Sequence, residues 1–111
     1  MDEILRRTLL FDFYGELLTD HQQKVYQEVV FDDVSFSELA ERENVSRQSI
    51  HELVRKCDRT LESYEEKLGL VARSENIRKN VSLIRQTLDQ EENSPAKEAI
   101  LKITDQILKE L

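Results

Sequence analysis

The side chains in this sequence best able to do chemistry on another molecule lie between positions 46 and 59: Ser46, Arg47, Gln48, Ser49, His51, Arg55 and Arg59. The chemistry they suggest is nucleic-acid recognition. A glutamine amide pairs with adenine through two hydrogen bonds, arginine reaches guanine or phosphate, and short hydroxyls hold phosphate oxygens. Gln48, His51 and Arg55 are accordingly candidates for bases or phosphates, with Ser46, Arg47, Ser49 and Arg59 fixing phosphates and Lys56 at the flank. Glu52 lies in the middle of the set. A carboxylate there either accepts from a cytosine amino group or marks a surface that meets no polyanion, and the residues alone allow both.

Other chemistries find no comparable grouping. The chain has no glycine-rich phosphate loop and no Ser/His/Asp arrangement, so the expectation is a non-enzyme without a cofactor. His21 and His51 are thirty residues apart with no matching cysteine or acidic pair, which argues against a metal. Asp32-Asp33 reads as a turn, Glu65-Glu66-Lys67 as a solvated helix face, and Cys57, on an apolar stripe, as an inert core thiol. Four Phe, three Tyr and no Trp leave too few rings for a base-stacking platform, which excludes an RNA-stacking sheet.

The elements that must position these residues follow from composition and spacing. With 111 residues, 39% hydrophobic and 35% charged, the chain is one domain's worth of material with a real core. Two glycines and one proline leave little for the turns of sheet folds, so the expected class is all-α. Ile4, Leu5, Leu9, Leu10, Phe13 and Leu17 predict a helix over 3–18. A capping box at Thr19 and Gln22 opens a second, which ends near Phe31 before a turn at 32–34. A second box at Ser35 and Glu38 opens a helix over 36–43 with Phe36, Leu39 and Ala40 inward. After Ser46, the stripe Ile50, Val54, Cys57, Leu61, Tyr64 and Leu68 predicts a long helix over 47–68. Ser74 is the expected cap of a fifth helix over 75–90 (Ile77, Val81, Ile84, Leu88). Ser94 and Pro95 open a sixth over 95–110 with Ala96, Ala99, Ile100, Ile103, Ile107 and Leu111 on one stripe. The expected division is a helix-turn-helix domain over 1–70 and a C-terminal helical extension over 71–111 for packing or dimerisation.

Residues 35–50 have the physics of a helix-turn-helix. Ala40 is small enough for two helices to cross closely, Asn44 can stop the first in the left-handed conformation, Ser46 can cap the second, and Val45 and Ile50 lock them together. The second helix then protrudes at its amino end. Leu10-Phe11-Asp12-Phe13-Tyr14, Leu17-Leu18-Thr19, Gln22, Asp32-Asp33, Ser35, Glu38-Leu39-Ala40-Glu41, Val45-Ser46-Arg47-Gln48-Ser49-Ile50 and Tyr64-Glu65-Glu66-Lys67-Leu68 together resemble the YlxM/p13 family of small bacterial proteins. The resemblance covers roughly residues 9–70. It implies a helix-turn-helix similar to promoter-reading region 4 of sigma factors, binding to double-stranded DNA, and a regulatory role in the signal recognition particle pathway, whose genes neighbour those of the family. Residues 71–111 carry no transferable motif.

Charge placement limits how such a protein can bind. Residues 1–45 carry four Lys/Arg against eleven Asp/Glu, whereas residues 47–85 hold nine basic and six acidic residues. A chain of net charge −7 repels a polyanion at long range, so DNA contact must come from the local patch and gain from two copies. A helix of about 33 Å is longer than groove reading needs, and with the apolar stripe on the last helix it points to a homodimer presenting two tips to two half-sites. One cysteine, no apolar run long enough for a membrane and no leader-like segment place the expected chain in the cytoplasm, away from membranes. The alternative function is a protein- or ribonucleoprotein-binding adaptor of the targeting machinery, using helices 4–6 on signal recognition particle components.

Overall fold

The computed structural model describes residues 2–111. Among them the chain forms α1 (Glu3–Tyr14), a 3-10 turn (Gly15–Leu17), α2 (Asp20–Val30), α3 (Phe36–Glu43), α4 (Arg47–Leu68), α5 (Leu70–Asp89) and α6 (Pro95–Glu110), with no strand. The class is all-α. The chain divides into two compact units, one ending at Gly69 and one running from Leu70 to Leu111.

Local capping chemistry sets most boundaries. Thr19 Oγ1 accepts from the Gln22 amide at 3.2 Å while the Thr19 amide donates to Gln22 Oε1 at 3.1 Å, a complete capping box. Ser35 accepts from the Glu38 amide at 3.0 Å, but among the described residues Glu38 makes no return bond, so the second expected box is a single cap. The first helix is shorter than its apolar spacing predicts. Its α-geometry ends at Tyr14 and tightens over Gly15–Leu17, where a side chain on Gly15 would bring its Cβ within 3.0 Å of the Phe11 ring. The fifth helix begins earlier than predicted. Gly69, at φ +64, stops α4 by donating its amide to Glu65 O at 2.8 Å, and the helix-compatible Leu70, Val71 and Ala72 resume at once. Ser74 is therefore a buried residue inside α5 rather than a cap.

In the first unit, Val25 of α2, Leu39 and Ala40 of α3 and Ile50 of α4 form the core, with Val29, Val34, Phe36 and Leu53 packed around them. Ala40 is small where the helices cross. Val45 does not lock that crossing with its side chain, which is 45% exposed; it contributes through its amide, bonded to Ala40 O at 3.0 Å. A second layer joins α1 and α2: Phe11 stacks on Tyr26 with centroids 5.5 Å apart and tilts onto Phe31 at 5.3 Å. Tyr26 Oη donates to Asp58 Oδ1 at 2.6 Å and Arg7 pairs with Asp58 Oδ2 at 2.7 Å, so one carboxylate of α4 ties down α1 and α2 together.

The inward stripe of α4 departs from its expected course near the carboxyl end. Ile50, Val54, Cys57 and Leu61 are buried, Tyr64 is half-buried, and Leu68 is 53% exposed. Glu65 turns inward and accepts from Tyr14 Oη at 2.5 Å, so it is not part of a solvated face. In the second unit, α5 and α6 pack as a helical hairpin around the buried Thr104, whose Oγ1 accepts from Arg85 Nε at 3.3 Å and donates to Leu101 O at 2.7 Å. Its apolar stripe lies largely outside, with Leu83 59%, Ile84 39%, Ile100 39% and Ile103 54% exposed.

Candidate nucleic-acid interface

The turn between α3 and α4 is built from two local devices. Asn44 adopts φ 56, ψ 46, and its amide bonds Glu41 O at 3.2 Å, closing α3 in the left-handed conformation that asparagine tolerates. Ser46 Oγ accepts the Ser49 amide at 3.0 Å and lies 2.9 Å from Ser49 Oγ, opening α4 and tying the two hydroxyls together. With Ile50 only 1% exposed, α4 is held by its underside, and Ser46, Arg47, Gln48 and Ser49 are all exposed at its tip.

Farther along α4 the candidate residues have different surroundings. His51 is half-buried and stacks on Phe36 with centroids 3.8 Å apart and planes 13° from parallel, so one face of its ring is occupied. Glu52 Oε1 accepts from Gln48 Nε2 at 3.1 Å and from Arg55 Nη1 at 2.9 Å, joining three exposed side chains in one row. Arg59 and Lys56 line two adjoining grooves. One, of about 480 Å³, runs between α4 and the capped start of α2 at Thr19 and Gln22; the other, of about 430 Å³, continues past Thr60 and Ser63 to Tyr64. Lys56 belongs with the site although the sequence set it only at the flank. Its spacing supplied the clue, seven residues after Ser49 and three before Arg59 on the same helix side.

Charge is sorted by the two sides of α4. Asp58 and Glu62 are engaged by Arg7 and Arg6 of α1, at 2.7 and 2.9 Å. Arg47, Lys56 and Arg59 make no ion pair among the described residues, so this side of the helix keeps three unpaired cations, with Glu52 lining the same groove as Lys56 and Arg59. Beneath them the chemistry is inert. Burial, helped by the nearby Asp58 charge, pushes the Cys57 thiol up to about 11, and burial with the bond to Asp58 holds the Tyr26 hydroxyl well above its ordinary value. His21 pairs with Glu43 at 2.6 Å. Among the described residues no helix is long and apolar enough to cross a membrane.

Comparison with known proteins agrees with this geometry. Residues 1–104 match the UPF0122 family, described as "Putative helix-turn-helix protein, YlxM / p13 like". A UPF0122 protein of Symbiobacterium thermophilum is 38% identical over 100 residues, covering 90% of this chain and 94% of the relative. One from Thermoanaerobacter sp. is 36% identical over 110 residues, 99% of this chain and 94% of the relative. One from Halalkalibacterium halodurans is 36% identical over 105 residues, covering 95% and 96%. The chain belongs to the UPF0122 family of helix-turn-helix proteins.

Proposed function

We propose that the protein is a regulator that binds double-stranded DNA by laying the amino-terminal half of α4 in the major groove. The observation that carries this reading is that Arg47, Lys56 and Arg59 make no ion pair among the described residues on an exposed face of a helix-turn-helix, while Asp58 and Glu62 of the same helix are held by the α1 arginines. Gln48, His51 and Arg55 are assigned to base edges or phosphates, and Ser46, Arg47, Ser49, Lys56 and Arg59 to phosphates. Family membership supports the reading, because helix-turn-helix modules place their second helix in this way. A net charge of −7 makes a single tip a weak binder, and the exposed apolar face of α5 and α6 supports a homodimer that brings two tips to one duplex.

Fluorescence anisotropy of a labelled duplex tests this. The intact protein forms a complex at low salt that weakens steeply as salt rises. Replacing Arg47 and Arg55 by Ala weakens binding by about tenfold or more and lowers the salt slope by about one for each phosphate no longer neutralised. Absence of any complex with duplex DNA at low salt overturns the reading. The resemblance to the YlxM/p13 family supports a regulatory role in the signal recognition particle pathway. A salt-tolerant complex with particle components that survives those two Ala changes would instead support an adaptor acting through protein contacts.

A further inference from the structure

Glu52 is an exposed acidic side chain on the groove face of α4 that no α1 arginine takes up. Its two oxygens are in different states. Oε1 is shared by Gln48 Nε2 at 3.1 Å and Arg55 Nη1 at 2.9 Å, whereas Oε2 accepts no bond among the described residues and the side chain is 53% exposed. Gln48, Glu52 and Arg55 stand at i, i+4 and i+7, one row on the same helix face. The row therefore presents a free acceptor at its centre, oriented from both sides, with the unused N–H groups of Arg55 beside it.

In the major groove such an acceptor discriminates between bases. Cytosine presents the N4 amino donor, adenine an N6 amino donor beside the N7 acceptor, guanine only the O6 and N7 acceptors, and thymine the O4 acceptor with a methyl group. A carboxylate is attracted by both amino groups, less by adenine because N7 lies beside its donor, and is repelled by guanine and thymine, whereas a guanidinium next to it favours guanine, so the two together favour C·G. Exposed ion pairs are worth little in stability, so the Arg55 side chain can turn toward a guanine with little loss. On the reading of α4 as a major-groove helix, we propose that Glu52 is the specificity-determining residue. Its Oε2 accepts from a cytosine N4 amino group while Arg55 donates to a guanine of the adjacent base pair.

The test is selection from a randomised duplex pool with the full-length protein and with Glu52→Gln and Glu52→Ala, followed by titration of the selected duplex and its single-base variants. The native protein is expected to enrich one invariant C·G pair and to disfavour its replacement by about tenfold or more. Both variants are expected to lose discrimination at that pair alone, and to bind unselected duplex as tightly as the native protein or several-fold more tightly. Unchanged discrimination in both variants, or a native site with no fixed C·G pair, overturns the assignment and leaves duplex binding standing. Failure of all three proteins to bind any duplex at low salt overturns the groove reading and the assignment with it.

Discussion

Asp58 joins three helices through two oxygens, one holding Tyr26 Oη and the other Arg7. Asp58→Ala leaves the buried phenol of Tyr26 and the partly buried guanidinium of Arg7 without their acceptor, so we expect a loss of about 2–3 kcal/mol in urea unfolding. Glu62→Ala, at the more exposed pair with Arg6, should change stability by no more than about 1 kcal/mol. Acid should expose a different residue. The bond from Arg42 lowers the Glu28 carboxyl below its ordinary value, so between the two values the unfolded chain takes up the proton first. The stability from this pair is present above the ordinary carboxylate value and is lost as pH falls through the lowered one. The difference between native protein and Arg42→Ala should therefore persist at neutral pH and vanish in acid unfolding series. At this scale the sequence conceals most of the structure. Asp58 and Glu65 look like solvated acids because their partners, Arg7 and Tyr14, lie 51 residues away, a separation that no helical period encodes.

The helices themselves were far more legible, because caps act over three or four residues. Thr19 with Gln22, Asn44, Ser46, Gly69 and Pro95 all mark boundaries found in the structure. The start of α5 was not legible, since Gly69 ends one helix without inserting a loop and Ser74 resembles a cap in every local respect. The left-handed residues offer a direct test. Asn44→Gly should be neutral or slightly stabilising, because glycine has no Cβ to clash at φ 56, whereas Asn44→Ala should cost about 1–2 kcal/mol, because alanine keeps the Cβ and loses the short polar side chain that lets asparagine adopt this conformation. Gly69→Ala meets no neighbouring atom, so its loss, also about 1 kcal/mol, is pure backbone strain. Denaturant midpoints of the three variants check all of this. The turn before α4 is the important case, since its geometry aims the candidate interface.

For the whole molecule, the acidic character of the first 45 residues suggested a protein unsuited to DNA, and the distribution of pairs modifies that view. Two acids of α4 face the α1 arginines, leaving Arg47, Lys56 and Arg59 without ion pairs among the described residues on the other side, where Glu52 is held between Gln48 and Arg55. No composition count contains this, because it depends on which side of α4 meets α1. Dimerisation belongs to the same scale. Leu83 and Ile103 are more than half exposed on the second unit, so if the proposed dimer forms through this face, native protein should sediment as a dimer and Leu83→Glu with Ile103→Glu as a monomer with helical circular dichroism preserved. The same variant should lower affinity for a two-site duplex more than for a single half-site. Amide chemical-shift mapping during titration with a short duplex tests the proposed DNA contact most directly. The account predicts that the largest shifts fall on residues 46–59 and on the start of α2 near Thr19 and Gln22. Shifts confined to α5 and α6, with α4 unmoved, would contradict it.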